Sequence, residues 1–129
     1  MSFELTLVVW SALLFALYIG VQSTLYRMQH GVKFANTARD NEAPPNPMNA
    51  RAEKALRNFL ETYGLFVALA LAAAVAGKSN GLTQWGAGLY YGARIVYLPL
   101  YLIGIPQLRS LAWVVSLIGL ILLFFGVVL

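Results

Sequence analysis

At 129 residues the chain has room for one domain, read here as spanning 1–129, and it is 60% hydrophobic and 11% charged with a mean hydropathy of +0.69, whereas a soluble domain carries about 25% charged residues. That excludes a soluble fold, and the lack of cysteine excludes disulfides, thiolate metal sites and a cysteine nucleophile, so any thiol chemistry must use a thiol from elsewhere. The net charge of +4 does not point to nucleic acid, because the basic residues alternate with apolar stretches and build no soluble basic face.

One crossing needs about 20 apolar residues, so the length and composition predict an all-α integral membrane protein, a bundle of four transmembrane helices. The first helix is expected over about 3–27. Its apolar stretch from Leu5 to Leu25 is too long for a signal peptide, begins with Glu4 rather than a basic run and is followed by no small-residue cleavage site, so it reads as a retained span. A polar connection follows, running from Asn36 to Glu42 and on through the breakers Pro44, Pro45 and Pro47. The second helix, about 49–76, starts amphipathic through Arg51, Lys54, Arg57, Asn58 and Glu61 and is wholly apolar from Leu65 to Ala76. The stretch Gly77 to Gly81 signals a tight turn. The third helix, about 82–105, is expected to stop at Pro106, and its Gly88 and Gly92, with the alanines of the second helix, permit close packing. The fourth, about 110–129, has no charge beyond Arg109.

Basic residues concentrate on the cytoplasmic side of membrane proteins. The first connection and its flanks hold Arg27, Lys33, Arg39, Arg51, Lys54 and Arg57, the last connection holds Arg109, and the opposite side offers only Lys78. Both termini are therefore expected to face away from the cytoplasm, and the compact chain suits a bacterial inner membrane.

An ionisable residue inside a membrane helix is costly and marks a candidate site. On the second helix Arg51, Lys54, Asn58 and Glu61 recur at intervals of three and four, which puts them on one face. On the third, Arg94, Tyr97 and Tyr101 do the same. At about 1.5 Å rise per residue, Glu61 and Arg94 come level in antiparallel helices, which predicts an ion pair between them with Glu61 also open to a ligand amine. Arg51 and Lys54 also fit a helix end snorkelling to headgroups, and Tyr97 and Tyr101 fit interface tyrosines. Asn58 needs a partner within an apolar bundle. Arg109 gains nothing from the positive end of a helix dipole and reads either as a topology charge or as aimed at an anion. Ser110 beside it fits an N-cap.

The run from Arg51 to Glu61, the stretch Gly92-Ala93-Arg94-Ile95-Val96-Tyr97 with Tyr101, and Lys33-Phe34-Ala35-Asn36 together resemble the family of membrane-associated proteins in eicosanoid and glutathione metabolism (MAPEG), across nearly the whole chain. The resemblance implies a homotrimer in the lipid bilayer that binds glutathione, as co-substrate and with no metal, between neighbouring subunits near the cytoplasmic side. It implies glutathione-binding roles for Arg27, Arg51, Lys54, Asn58, Glu61, Arg94, Tyr97 and Tyr101, and catalytic ones for Arg109, which would stabilise the thiolate, and Ser110. The function implied is a transferase, or a peroxidase, attacking small lipophilic electrophiles. Lys54 stands where many members have arginine, Thr62 where the leukotriene synthase type has tyrosine and Gly64 where proline is frequent. These departures argue against an eicosanoid synthase. The alternative is a non-catalytic membrane scaffold or lipid-binding protein that keeps the fold, and its mark would be lipid binding without glutathione binding.

Overall fold

The computed structural model describes residues 1–129 as five helices: α1 (Phe3–His30), α2 (Val32–Ala35), α3 (Pro47–Val75), α4 (Gly81–Ile103) and α5 (Pro106–Val128). The long helices α1, α3 and α4 start where the sequence supplies a partner for otherwise unpaired backbone N–H groups. Ser2 accepts from Leu5 N at the head of α1, Asn46 from Asn49 N ahead of Pro47, and Asn80 and Thr83 form a reciprocal capping box on α4.

The α4–α5 corner differs from the expected one. Gly104, at φ 84°, adopts the left-handed conformation that glycine tolerates, and its N–H reaches Leu100 and Tyr101 carbonyls while Ile105 N also reaches Leu100. That closes α4 at Ile103. Pro106 is therefore the first residue of α5 rather than the stop of α4, a position where its missing N–H costs nothing. In consequence α5 starts four residues earlier than expected, its N-cap position is Ile105, and Ser110 is not an N-cap.

Three helices, α1, α3 and α5, are long and apolar enough to cross a membrane. The 23-residue α4 is not among them, since Gln84, Arg94 and a series of glycines and tyrosines dilute its hydropathy. It nevertheless packs along α5. Gly86 lies against Gly119 and Leu123, and Gly126 against Thr83, a pairing that runs antiparallel. Gly86 and Gly119 permit this approach. Gly88 and Gly92, the glycines expected to do so, point elsewhere: Gly88 faces the Phe3 ring and Gly92 open space. The face of α4 turned to α5 passes through 83, 86 and 90, and at about 100° per residue position 88 falls on the far side.

The α3 helix runs antiparallel to both α1 and α4. Ser11 and Tyr63 hydroxyls meet at 2.9 Å, Phe15 stacks on Phe59 and Tyr63, and Phe66 stacks on Tyr90 with centroids 4.5 Å apart. Two apolar clusters result, one around Tyr18, Phe59, Tyr97 and Ala112 and one around Phe66, Tyr90, Leu120 and Leu123.

Two polar knots close the ends. Glu4, fully buried, accepts from Ser79 Oγ at 3.1 Å and from Thr83 Oγ1 at 2.6 Å, tying α1 to the head of α4. At the other end Gln29 accepts from Asn46 N and Asn49 Nδ2 and donates to the Pro44 carbonyl, which holds the long connection against α1.

Candidate functional site

Two turns of α3, the second half of α4 and the first turns of α5 enclose a groove of about 700 Å³, lined by Lys54, Arg57, Asn58, Glu61, Tyr97, Tyr101, Arg109, Ser110, Trp113 and Val114. Its volume lies within the range of roughly 300–1,000 Å³ usual for small-molecule sites. Helical spacing explains the α3 wall, because Lys54, Asn58 and Glu61 sit within a quadrant of one another about the axis. The α5 wall is new. Arg109, Ser110, Trp113 and Val114 recur at the same three- and four-residue intervals, and the early start at Pro106 puts all four on regular helix.

Apart from Arg57, the charges in the groove are free. Glu61 is exposed and makes no ion pair or hydrogen bond, since the one ion pair in the protein joins Arg57 to Glu53 at 3.0 Å on the surface of α3. Lys54 has no acidic partner either. Arg109 is half-buried, with its guanidinium 4.6 Å from the centroid of the Tyr101 ring, an attraction that aims the cation without neutralising it. The first turn of α5 adds the positive end of a helix dipole. Two free cations, Lys54 and Arg109, and the paired Arg57 therefore face one carboxylate in a cleft whose far end is the apolar pair Trp113 and Val114.

Arg94 stands directly behind this wall and does not pair with Glu61 as expected. It is fully buried, with Nη1 donating to Asn58 Oδ1 at 2.7 Å and Nη2 to Thr62 Oγ1 at 3.0 Å, and its guanidinium carbon lies 4.9 Å from the Tyr97 ring and 5.6 Å from the Tyr90 ring. The reason is angular. Asn58 and Thr62 share the edge of α3 that faces α4, while Glu61 is turned about 100° away from Thr62, into the groove. Tyr18 of α1 donates to the Arg94 carbonyl at 2.7 Å, so three helices converge on this residue.

Of the ten residues expected from sequence, the groove gathers seven: Lys54, Asn58, Glu61, Tyr97, Tyr101, Arg109 and Ser110. Arg94 touches the groove through Asn58 and the Tyr97 ring. Arg51 lies outside, its Nη1 donating to the Leu102 carbonyl at 3.1 Å and its guanidinium covering Gly104, where a cation stabilises the C-terminal end of α4. Arg27 is exposed in the last turn of α1. Arg57 and Trp113 were not among the expected residues, although each lies four positions from one that was, Glu61 and Arg109 respectively. A second cavity of about 480 Å³, lined by Phe3, Gly81, Gln84, Trp85, Gly88 and Leu89 at the other end of α4, contains no titratable side chain.

The site is thus two free cations, one cation paired at the surface, one free carboxylate and an apolar end, built where three helices meet. Compared with protein families, the chain matches the MAPEG family over residues 6–129. No curated protein and no solved structure matches it.

Proposed function

Because the chain belongs to the MAPEG family across essentially its whole length, we propose that it is a glutathione-dependent membrane transferase, with peroxidase chemistry as a variant of the same thiolate attack, acting on lipophilic electrophiles. The observation that carries this reading is the groove's set of unneutralised charges, Lys54 and Arg109 with the single carboxylate Glu61. Glutathione presents two carboxylates, one ammonium and one thiol. Lys54 suits one carboxylate as a point charge, and Arg57, whose exposed pair with Glu53 is weak, exchanges that partner for the other as the better fork. Glu61, unpaired in the chain, accepts from the ammonium. Arg109, with the first turn of α5 behind it, favours the thiolate over the thiol, and the Ser110 hydroxyl donates to the same sulfur. The thiolate attacks the electrophilic carbon, a carbon–sulfur bond forms and the leaving group departs with its electron pair. With a hydroperoxide the sulfur attacks the terminal oxygen, the oxygen–oxygen bond breaks to give an alcohol, and a second thiol completes the reduction to disulfide and water. Trp113 and Val114 offer the apolar end at which a bilayer-dissolved electrophile meets the sulfur.

In this reading all four long helices cross the bilayer and the protein assembles as a homotrimer. The tripeptide lies between subunits on the cytoplasmic side of a bacterial inner membrane, where Arg27 and Arg51 reach it from the ends of α1 and α3. The excess of basic residues about the α1–α3 connection supports that orientation. The role of Glu61 is tested by Glu61→Gln. Glutathione binding is expected to weaken about tenfold or more, as for a lost charge-assisted hydrogen bond, while binding of an analogue lacking the α-amine stays unchanged. Equal effects on both ligands, or none on glutathione, would remove Glu61 from the amine site.

A further inference from the structure

Buried charges in proteins are ordinarily paired, and Arg94 is not. It is fully buried, no carboxylate reaches it, its fork is met by the neutral acceptors Asn58 Oδ1 and Thr62 Oγ1, and Nε has no partner at all. A guanidinium only donates, so the oxygen of Asn58 must be the atom turned to it. That leaves Asn58 Nδ2, which makes no hydrogen bond within the chain, on the wall of the groove. The thiol-binding groove thus has, directly behind its wall, an uncompensated positive charge that reaches it through one amide and past the buried Tyr97 ring.

We propose that Arg94 is a positioning residue whose missing counter-ion is the ligand itself. It locks Asn58 so that the amide N–H groups are presented to an acceptor on the bound tripeptide, and its charge adds to that of Arg109 in favouring the ligand's anionic groups, the thiolate among them. The inference rests on the glutathione reading above. If Arg94 served only to tie α1, α3 and α4 together, an aspartate at position 58 would do the same work with a full ion pair. An aspartate would also cancel the charge and remove the amide donor.

The test is Asn58→Asp beside Arg94→Met, each compared with wild type for thermal melting in detergent, for the glutathione Kd, and for the pKa of the bound thiol from thiolate absorbance against pH. Asn58→Asp is expected to melt at or above the wild-type temperature, to bind glutathione about tenfold or more weakly, and to raise the bound thiol's pKa by about one unit or more. Arg94→Met removes the charge without adding one, and an unbranched apolar chain of similar length fills the space. It is expected to raise the thiol pKa in the same direction. An unchanged thiol pKa in either folded variant, or unchanged glutathione affinity in Asn58→Asp, overturns the proposal and leaves Arg94 a structural tie. A wild-type protein that binds no glutathione overturns the functional reading instead, whatever the variants do.

Discussion

Arg109→Ala is expected to cut the thiolate at neutral pH to a few per cent and leave the protein folded. The side chain makes no ion pair, and its one close partner is the face of Tyr101 at 4.6 Å, a contact that contributes about 1 kcal/mol to stability. Its effect on a bound anion is larger. A guanidinium beside a thiol lowers the thiol pKa by about 1–3 units, so its removal returns the pKa toward about 8.5 and cuts the thiolate fraction at neutral pH by roughly 10- to 30-fold and kcat/KM with it. The direction with pH follows. In wild type the thiolate is present at neutral pH and is lost only on acidification; in the variant it appears only as pH rises toward the ordinary thiol range, so activity should recover in alkaline buffer. The pH profile of kcat/KM, with a melting curve as control, checks this. A wild-type profile in a folded variant would take the thiolate role away from Arg109.

Gly119→Leu is expected to be the most damaging single change to the fold. A Cβ at Gly119 would stand 2.6 Å from the Gly86 carbonyl oxygen and 2.7 Å from Tyr90 N, both backbone atoms of α4, and neither can move without shifting the helix. Overpacking of this kind costs about 3 kcal/mol or more. The same α4–α5 contact holds Tyr97, Tyr101 and Arg109 in mutual register, so glutathione binding should fall with the melting temperature. Gly92→Leu is the matched control, because Gly92 has nothing within 4 Å, and it should melt close to wild type. Thermal melts of the two variants side by side decide the matter, and equal melting would mean that α4 and α5 do not rely on this approach.

The sequence made legible what lies along a single helix. The intervals of three and four from Lys54 through Asn58 to Glu61, and from Arg94 through Tyr97 to Tyr101, fix which side chains share a face, since helical pitch alone decides that. Facing between helices is a matter of packing and was not legible. Level placement of Glu61 and Arg94 suggested a pair, but the edge of α3 turned to α4 carries Asn58 and Thr62, and an error of one helical edge exchanges a carboxylate for an amide. The same holds for glycine. Composition shows that α4 can approach a neighbour closely, and only the packed pair shows that Gly86 rather than Gly88 or Gly92 is used. Pro106 misled because proline marks both the end of one helix and the first turn of the next; Gly104 had already ended α4. Glu4 was read only for its place near the N-terminus, and nothing local says that Ser79 and Thr83, far along the chain, bury it.

The most direct test of the central claim is equilibrium binding of glutathione to the detergent-purified wild-type protein, followed by thiolate absorbance at neutral pH. Saturable binding at or below millimolar glutathione, with the thiolate signal rising in step with occupancy, is the expected result. No binding and no thiolate at millimolar glutathione would contradict the account and favour a membrane scaffold or lipid-binding protein that keeps the family fold without its chemistry.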